Sequence, residues 1–102
     1  MVVVANASDT FGLATTSAER VRGFGYVNVI RSDGLQELPT TVLYFVAGFE
    51  NEANRLAQQL EIPPQIVQPR PEGQLVEGNA DAELLVILGN NWREVTNLDS
   101  PQ

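Results

Sequence analysis

Val2-Val3-Val4-Ala5-Asn6-Ala7-Ser8-Asp9-Thr10-Phe11-Gly12-Leu13-Ala14 is the stretch on which the fold turns. Val2 to Ala5 is a short β-branched run of the kind that fills a buried strand. Asn6 to Thr10 follows as a cluster rich in residues that favour turns and helix N-caps. Past Gly12, the residues Leu13, Ala14, Ala18, Val21 and Phe24 recur at helical spacing, and Gly23 or Gly25 supplies the stop. A strand therefore leaves through a polar loop into a helix. The polar face of that helix carries Thr15, Thr16, Glu19, Arg20 and Arg22, with the arginines toward the C-terminal end, where the helix dipole favours cations.

Working outward, Tyr26-Val27-Asn28-Val29-Ile30 alternates as a second strand, with Ser32-Asp33-Gly34 as a turn behind it. Such a strand-helix-strand unit closes most easily as a right-handed parallel pair. Thr40 to Phe45 is the most β-prone run, and its continuous apolar character predicts a central strand covered on both faces. Phe49, Ala53, Leu56, Ala57 and Leu60 fall on one face of a second helix, with Glu50 and Glu52 in its first turn and Pro63-Pro64 barring its continuation. Gln65 to Gln68, set among four prolines, can pair only as an edge strand. Glu72 to Ala82 reads as the most mobile loop, Leu84 to Leu88 as a final buried strand closed by Gly89-Asn90-Asn91, and Glu94 to Gln102 as a frayed tail. The expected architecture is an α/β single-domain layered sandwich. It has a mixed sheet of about five strands, the element order β-α-β-β-α-β-β and two main helices, with the domain over residues 1–93 and a flexible tail over 94–102.

At 102 residues the chain is large enough for one hydrophobic core and too small for two. No apolar stretch approaches the roughly 18 residues of a membrane span, and nothing resembling a signal peptide precedes Val2. Cysteine and histidine are both absent, which removes disulfides, thiolate nucleophiles, imidazole bases and soft metal ligands. A net charge of −7 repels phosphodiester backbones and anionic membranes, so nucleic acid is not an expected partner.

Chemistry-bearing patterns are correspondingly few. The Asn6 to Gly12 loop would set backbone N–H groups and the Ser8 and Thr10 hydroxyls at a helix N-terminus, either as a plain cap or as a ligand cradle. Asn6, Ser8, Thr10 and Gly12 are therefore candidate ligand-binding residues, together with Trp92, which reads as a core lid or a binding contact. Asn6-Ala7-Ser8 also fits the N-glycosylation pattern, a short match given no weight. Glu50 with Glu52, and Asp81 with Glu83, lie at helix or loop edges as solvated carboxylates rather than as an acid/base pair. No catalytic set, metal site or cofactor is expected.

Three segments then stand in register: Val4-Ala5-Asn6-Ala7-Ser8 with Phe11-Gly12-Leu13-Ala14, Thr41 to Phe45 before Ala47-Gly48-Phe49-Glu50, and Leu85-Val86-Ile87-Leu88-Gly89 before Trp92. In order and spacing they resemble the LytR C-terminal domain family across about residues 2 to 92. Ala7 stands where the family often has glycine, and the Pro63 to Ala82 segment is long.

The resemblance implies a non-enzymatic, extracytoplasmic bacterial module, of the kind appended to LytR-CpsA-Psr enzymes that attach glycopolymers to peptidoglycan. It also implies stand-alone actinobacterial envelope proteins, tethered to the cell membrane through an N-terminal helix absent from this chain. Expected partners are a cell-wall glycopolymer, a peptidoglycan fragment or LytR-CpsA-Psr-type envelope proteins. A protein-protein adaptor regulating envelope integrity without direct glycan contact is the alternative.

Overall fold

The computed structural model describes residues 1–72, 75–76 and 82–98. In chain order the elements are β1 (Val2–Asn6), α1 (Leu13–Gly23), β2 (Val29–Asp33), β3 (Val42–Phe45), α2 (Glu50–Leu60), a 3-10 turn (Pro64–Ile66), β4 (Val67–Pro69), β5 (Leu84–Leu88) and the short α3 (Trp92–Val95). The strands form one mixed sheet in the order β2-β1-β5-β3-β4. β1 runs parallel to both β2 and β5, β3 runs antiparallel to β5, and β4 runs parallel to β3. The expected α/β class, five-stranded mixed sheet and two main helices are all present.

Both long helices cover the same face. Side chains alternate along a strand, so Val2 and Val4 of β1 and Leu84, Val86 and Leu88 of β5 join Leu43 beneath Leu13, Ala18 and Val21 of α1 and Ala53, Leu56, Ala57 and Leu60 of α2. The intervening residues Val3, Ala5, Leu85 and Ile87 form a second cluster on the opposite face with Ala7, Val76 and Ala82. Leu38 and Leu75 pack against that cluster, so among the described residues loops cover it rather than a helix.

Three expectations are corrected. The second strand lies at Val29–Asp33 rather than 26–30. Tyr26 instead leaves the sheet and packs against the helix-side core, while Ser32 and Asp33 become strand residues paired with Ala5 and Asn6. The doubly covered strands are β1 and β5, whereas in β3 only Leu43 is buried and Val42, Tyr44 and Phe45 are half-exposed. β3 is paired on both edges as well, by β5 and β4, so what separates it from β1 and β5 is how fully its two faces are covered. Finally, residues 94–98 are held: the Asn97 backbone N–H donates to the Leu60 carbonyl at 2.9 Å, its side-chain amide donates to the Gln59 carbonyl at 3.0 Å, and Leu98 packs on the core.

Of the loop expected to be most mobile, Leu75 and Val76 are packed, with Val76 bridging Gly34. Residues 73–74, 77–81 and 99–102 lie outside the described residues.

Candidate binding edge

The loops that follow β1 and β5 meet at one edge of the sheet, and their polar side chains are tied to one another. Asn6, the last residue of β1, accepts on Oδ1 from the Ser8 backbone N–H at 3.0 Å and the Ser8 hydroxyl at 2.6 Å, while its Nδ2 donates to the Thr10 carbonyl at 2.8 Å. Ser8 Oγ in turn accepts from the Thr10 backbone N–H at 3.1 Å. These are the local turns that Asn and Ser favour, in which the side chain replaces a backbone partner. Trp92 Nε1 donates to Thr10 Oγ1 at 3.3 Å, and the Asp9 backbone N–H donates to Asn90 Oδ1 at 2.8 Å, so the two loops are joined directly.

The joint extends to the loop before β3. Asn90 donates to Glu37, Asn91 Oδ1 accepts from the Thr41 backbone N–H at 2.8 Å, and Thr41 Oγ1 accepts from the Gly89 N–H at 3.0 Å. Gly89 is obligatory there: a Cβ would stand 2.3 Å from the Thr40 carbonyl.

The expected site residues therefore divide. Ser8 and Thr10 hold the loop, and neither caps α1, whose N-cap is Gly12 with φ 79° and no side-chain hydrogen bond. Glycine suits this left-handed position because a Cβ would strain it. Trp92 is only 5% exposed, its ring in the helix-side core with the Arg93 guanidinium 4.9 Å from the ring centre. Asn6 and Gly12 reach the wall of a cleft.

That cleft, about 370 Å³, opens between the α1 entry and the end of β2 and is lined by Asn6, Phe11, Gly12, Thr15, Arg31 and Asp33, among others. Phe11 stands fully exposed on its rim (102% relative exposure). Arg31 pairs in register with Val4, and Asp33 with Asn6, so both charges rise on the helix side of the sheet. The Arg31 guanidinium is fixed by a 2.6 Å bond from Nη1 to Thr15 Oγ1. Arg31 and Asp33 form no ion pair with each other.

Phe11, Arg31 and Asp33 were missed as site residues because Ser32-Asp33-Gly34 reads as a turn, which hides the strand alternation of Arg31 and Asp33. Phe11 carries no signal of its own: it stands three residues before Ala14 and seven before Ala18, on the apolar period, and it lies outside the helix, which starts at Leu13 after the left-handed Gly12.

Two other depressions differ in character. On the helix-free face a cleft of about 420 Å³ is lined by Leu35, Gln36, Leu38, Tyr44, Leu75 and Ile87. At the opposite end of the sheet, Tyr26 donates its hydroxyl to Gln59 Oε1 at 3.0 Å. Burial pushes the Tyr26 hydroxyl above its ordinary value, Arg55 pulling it down and Glu52 pushing it up. Glu52 and Glu83 share a shallow cleft nearby, where the Met1 amino group engages Glu83. Among the described residues, no three Asp or Glu side chains gather to hold a metal, and no helix is long and apolar enough to cross a membrane.

A five-stranded sheet with both long helices on one face, three loops tied at one edge and a polar cleft beside them defines a small two-layer α/β domain. The chain belongs to the LytR C-terminal (LytR_C) family, described as "LytR cell envelope-related transcriptional attenuator", whose profile matches residues 1–92. It is thus a cell-envelope-related domain of a family of non-catalytic C-terminal domains. No curated protein and no solved structure matches the chain.

Proposed function

We propose that this domain is a non-enzymatic binding or scaffolding module of the bacterial cell envelope, acting outside the cytoplasm on a membrane-tethered parent protein. It recruits or positions cell-wall glycopolymer or peptidoglycan components at the Phe11 cleft. The observation that carries this reading is the fully exposed Phe11 ring beside the hydrogen-bonding groups of Thr15, Arg31 and Asp33. Leaving a phenyl ring in water forgoes roughly 1.5–3 kcal/mol of burial, and a ligand that stacks on it recovers part of that energy. Asn6, Ser8, Thr10 and Trp92 serve this site by holding the loop that presents Phe11 and Gly12.

The charge of the chain narrows the ligand. At a net −7 the domain repels polyanions, so an anionic wall polymer would be held only locally, against the average field. An NMR titration with peptidoglycan fragments should move the amides of Gly12, Thr15, Arg31 and Asp33 as one patch. A titration that leaves them all unmoved rejects glycan binding there.

A second reading has its own observation. Leu35 is 54% exposed on the rim of the apolar cleft of the helix-free face, a feature of surfaces that bind proteins. In that reading the domain is a protein-protein adaptor for LytR-CpsA-Psr-type envelope proteins. Loss of partner capture in Leu35→Ser, with capture retained in Phe11→Ser, would favour it.

A further inference from the structure

We infer that the Phe11 cleft takes a ligand end carrying an ammonium and a carboxylate together, so that it reads an amino-acid-bearing fragment in preference to a bare sugar or a polyphosphate. The inference rests on the proposed envelope-binding reading and names the ligand chemistry within it.

The argument begins with spacing. Arg31 and Asp33 are two residues apart on one strand, which roots their side chains about 6.6 Å apart on the same face, and both line the cleft. Both side chains are exposed and within reach of each other, and they form no ion pair. The Arg31 guanidinium is instead held to the side by Thr15. A guanidinium has five N–H donors in a fixed fork, so one bond to Thr15 orients the group and leaves donors for a carboxylate. The Asp33 carboxylate has no partner among the described residues.

The geometry of an α-amino acid fits the gap. Its ammonium nitrogen and carboxylate carbon stand about 2.5 Å apart, and a charge-assisted bond of about 2.8 Å at each end gives a span that two side chains rooted about 6.6 Å apart can bracket.

Charge balance points the same way. Among the described residues the cleft's lining carries one cation and one anion, so their charges offset each other inside a domain of net −7. A polyanion would meet Arg31 but would also meet Asp33 and the field of the whole chain. A neutral sugar could stack on Phe11 and would leave both charges without a counter-ion. A zwitterionic end adds no net charge, gives each side chain its complement, and leaves the remainder of the ligand to lie along the Phe11 ring. Asn6 contributes little directly, because both ends of its amide are committed to the loop.

The test is a 15N-detected NMR titration of the full chain with three probes. These are a peptidoglycan disaccharide without peptide, the same disaccharide bearing a stem peptide whose diamino acid has a free ammonium and carboxylate on one carbon, and an oligomeric glycerol phosphate. The expected result is that the peptide-bearing probe shifts Gly12, Thr15, Arg31 and Asp33 with a Kd at least tenfold lower than the bare disaccharide. Arg31→Gln and Asp33→Asn should each erase that advantage without changing Tm.

Equal binding of both disaccharides at the cleft, unaffected by either substitution, overturns the zwitterion inference and leaves the glycan-binding reading standing. Silence of the cleft toward all three probes overturns both. Tighter binding of the phosphate oligomer, strengthened by Asp33→Asn, overturns the inference in favour of an anion site.

Discussion

Two neighbouring regions at one edge of the sheet use polar residues in opposite ways. In the loop from Asn6 to Thr10, every side chain that sequence would nominate for ligand binding is spent on the protein itself, through Asn6, Ser8, Thr10, Asn90 and Trp92. In the cleft beside it, Arg31, Asp33 and Phe11 direct charge and apolar surface into solvent. The difference separates stability from recognition. A tied network gives rigidity, and groups with bonding capacity left over, such as the Arg31 donors that Thr15 does not engage, can gain free energy from a ligand.

The comparison can be broken most forcefully at Gly89. Gly89→Ala drives a Cβ to 2.3 Å from the Thr40 carbonyl, and a clash with backbone has no cheap relief. A loss on the order of 3 kcal/mol or more is expected, seen as a lowered urea midpoint. A wild-type midpoint would mean that the joint between the loops is loose.

Trp92→Ala should cost about 3–5 kcal/mol, the usual range for emptying an aromatic core site, while Trp92→Phe keeps the six-membered ring but loses both the long bond to Thr10 and the volume of the pyrrole ring, about 1–3 kcal/mol. If the two variants cost the same, the indole N–H rather than the ring anchors the loop.

Asn6→Ala leaves the Ser8 and Thr10 groups without their partner and should cost about 1–3 kcal/mol. Loosening the loop that presents Phe11 should also weaken any ligand at the cleft. By contrast Arg31→Gln and Phe11→Ser should change stability by less than about 0.5 kcal/mol, and calorimetry showing a larger loss would place these residues in the fold instead of the recognition surface.

The smallest effect is expected far from both regions. Tyr26 has its hydroxyl pushed above its ordinary value by burial, so the unfolded chain ionises first as pH rises past about 10. The Tyr26 contribution is fully present below that pH and declines above it, toward the folded-state value. Tyr26→Phe should flatten this part of the stability-pH profile, and an unchanged slope between pH 9 and 11 would contradict it.

The parts of the fold legible in sequence are those with a strong period. The α2 face of Ala53, Leu56, Ala57 and Leu60, the α1 face of Leu13, Ala14, Ala18 and Val21, and the runs Val2 to Ala5 and Leu84 to Leu88 are each marked by local pattern and found buried, whereas Phe49 and Phe24, which share those periods, stand at helix ends outside the buried set. What misled was local chemistry that served another purpose. Ser32-Asp33-Gly34 has the composition of a turn, yet its first two residues extend an edge strand, because pairing with Ala5 and Asn6 outweighs their preference. Trp92 carries no local mark of burial, and the partner that fixes it, Thr10, lies 82 residues earlier.

By itself, the sequence determined the α/β class, the two long helices, the absence of cysteine and histidine chemistry, and the family, because these depend on residue identity and short-range periodicity. Tertiary structure alone decided that β5 occupies the centre with β1 and β3 beside it, and that both helices share one face. It also decided that Asn6, Ser8 and Thr10 turn inward upon one another, while Phe11, Arg31 and Asp33 line a common cleft. Each of these outcomes depends on which distant segments become neighbours. The polar atoms of a loop remain available to a ligand only if no such neighbour has already claimed them.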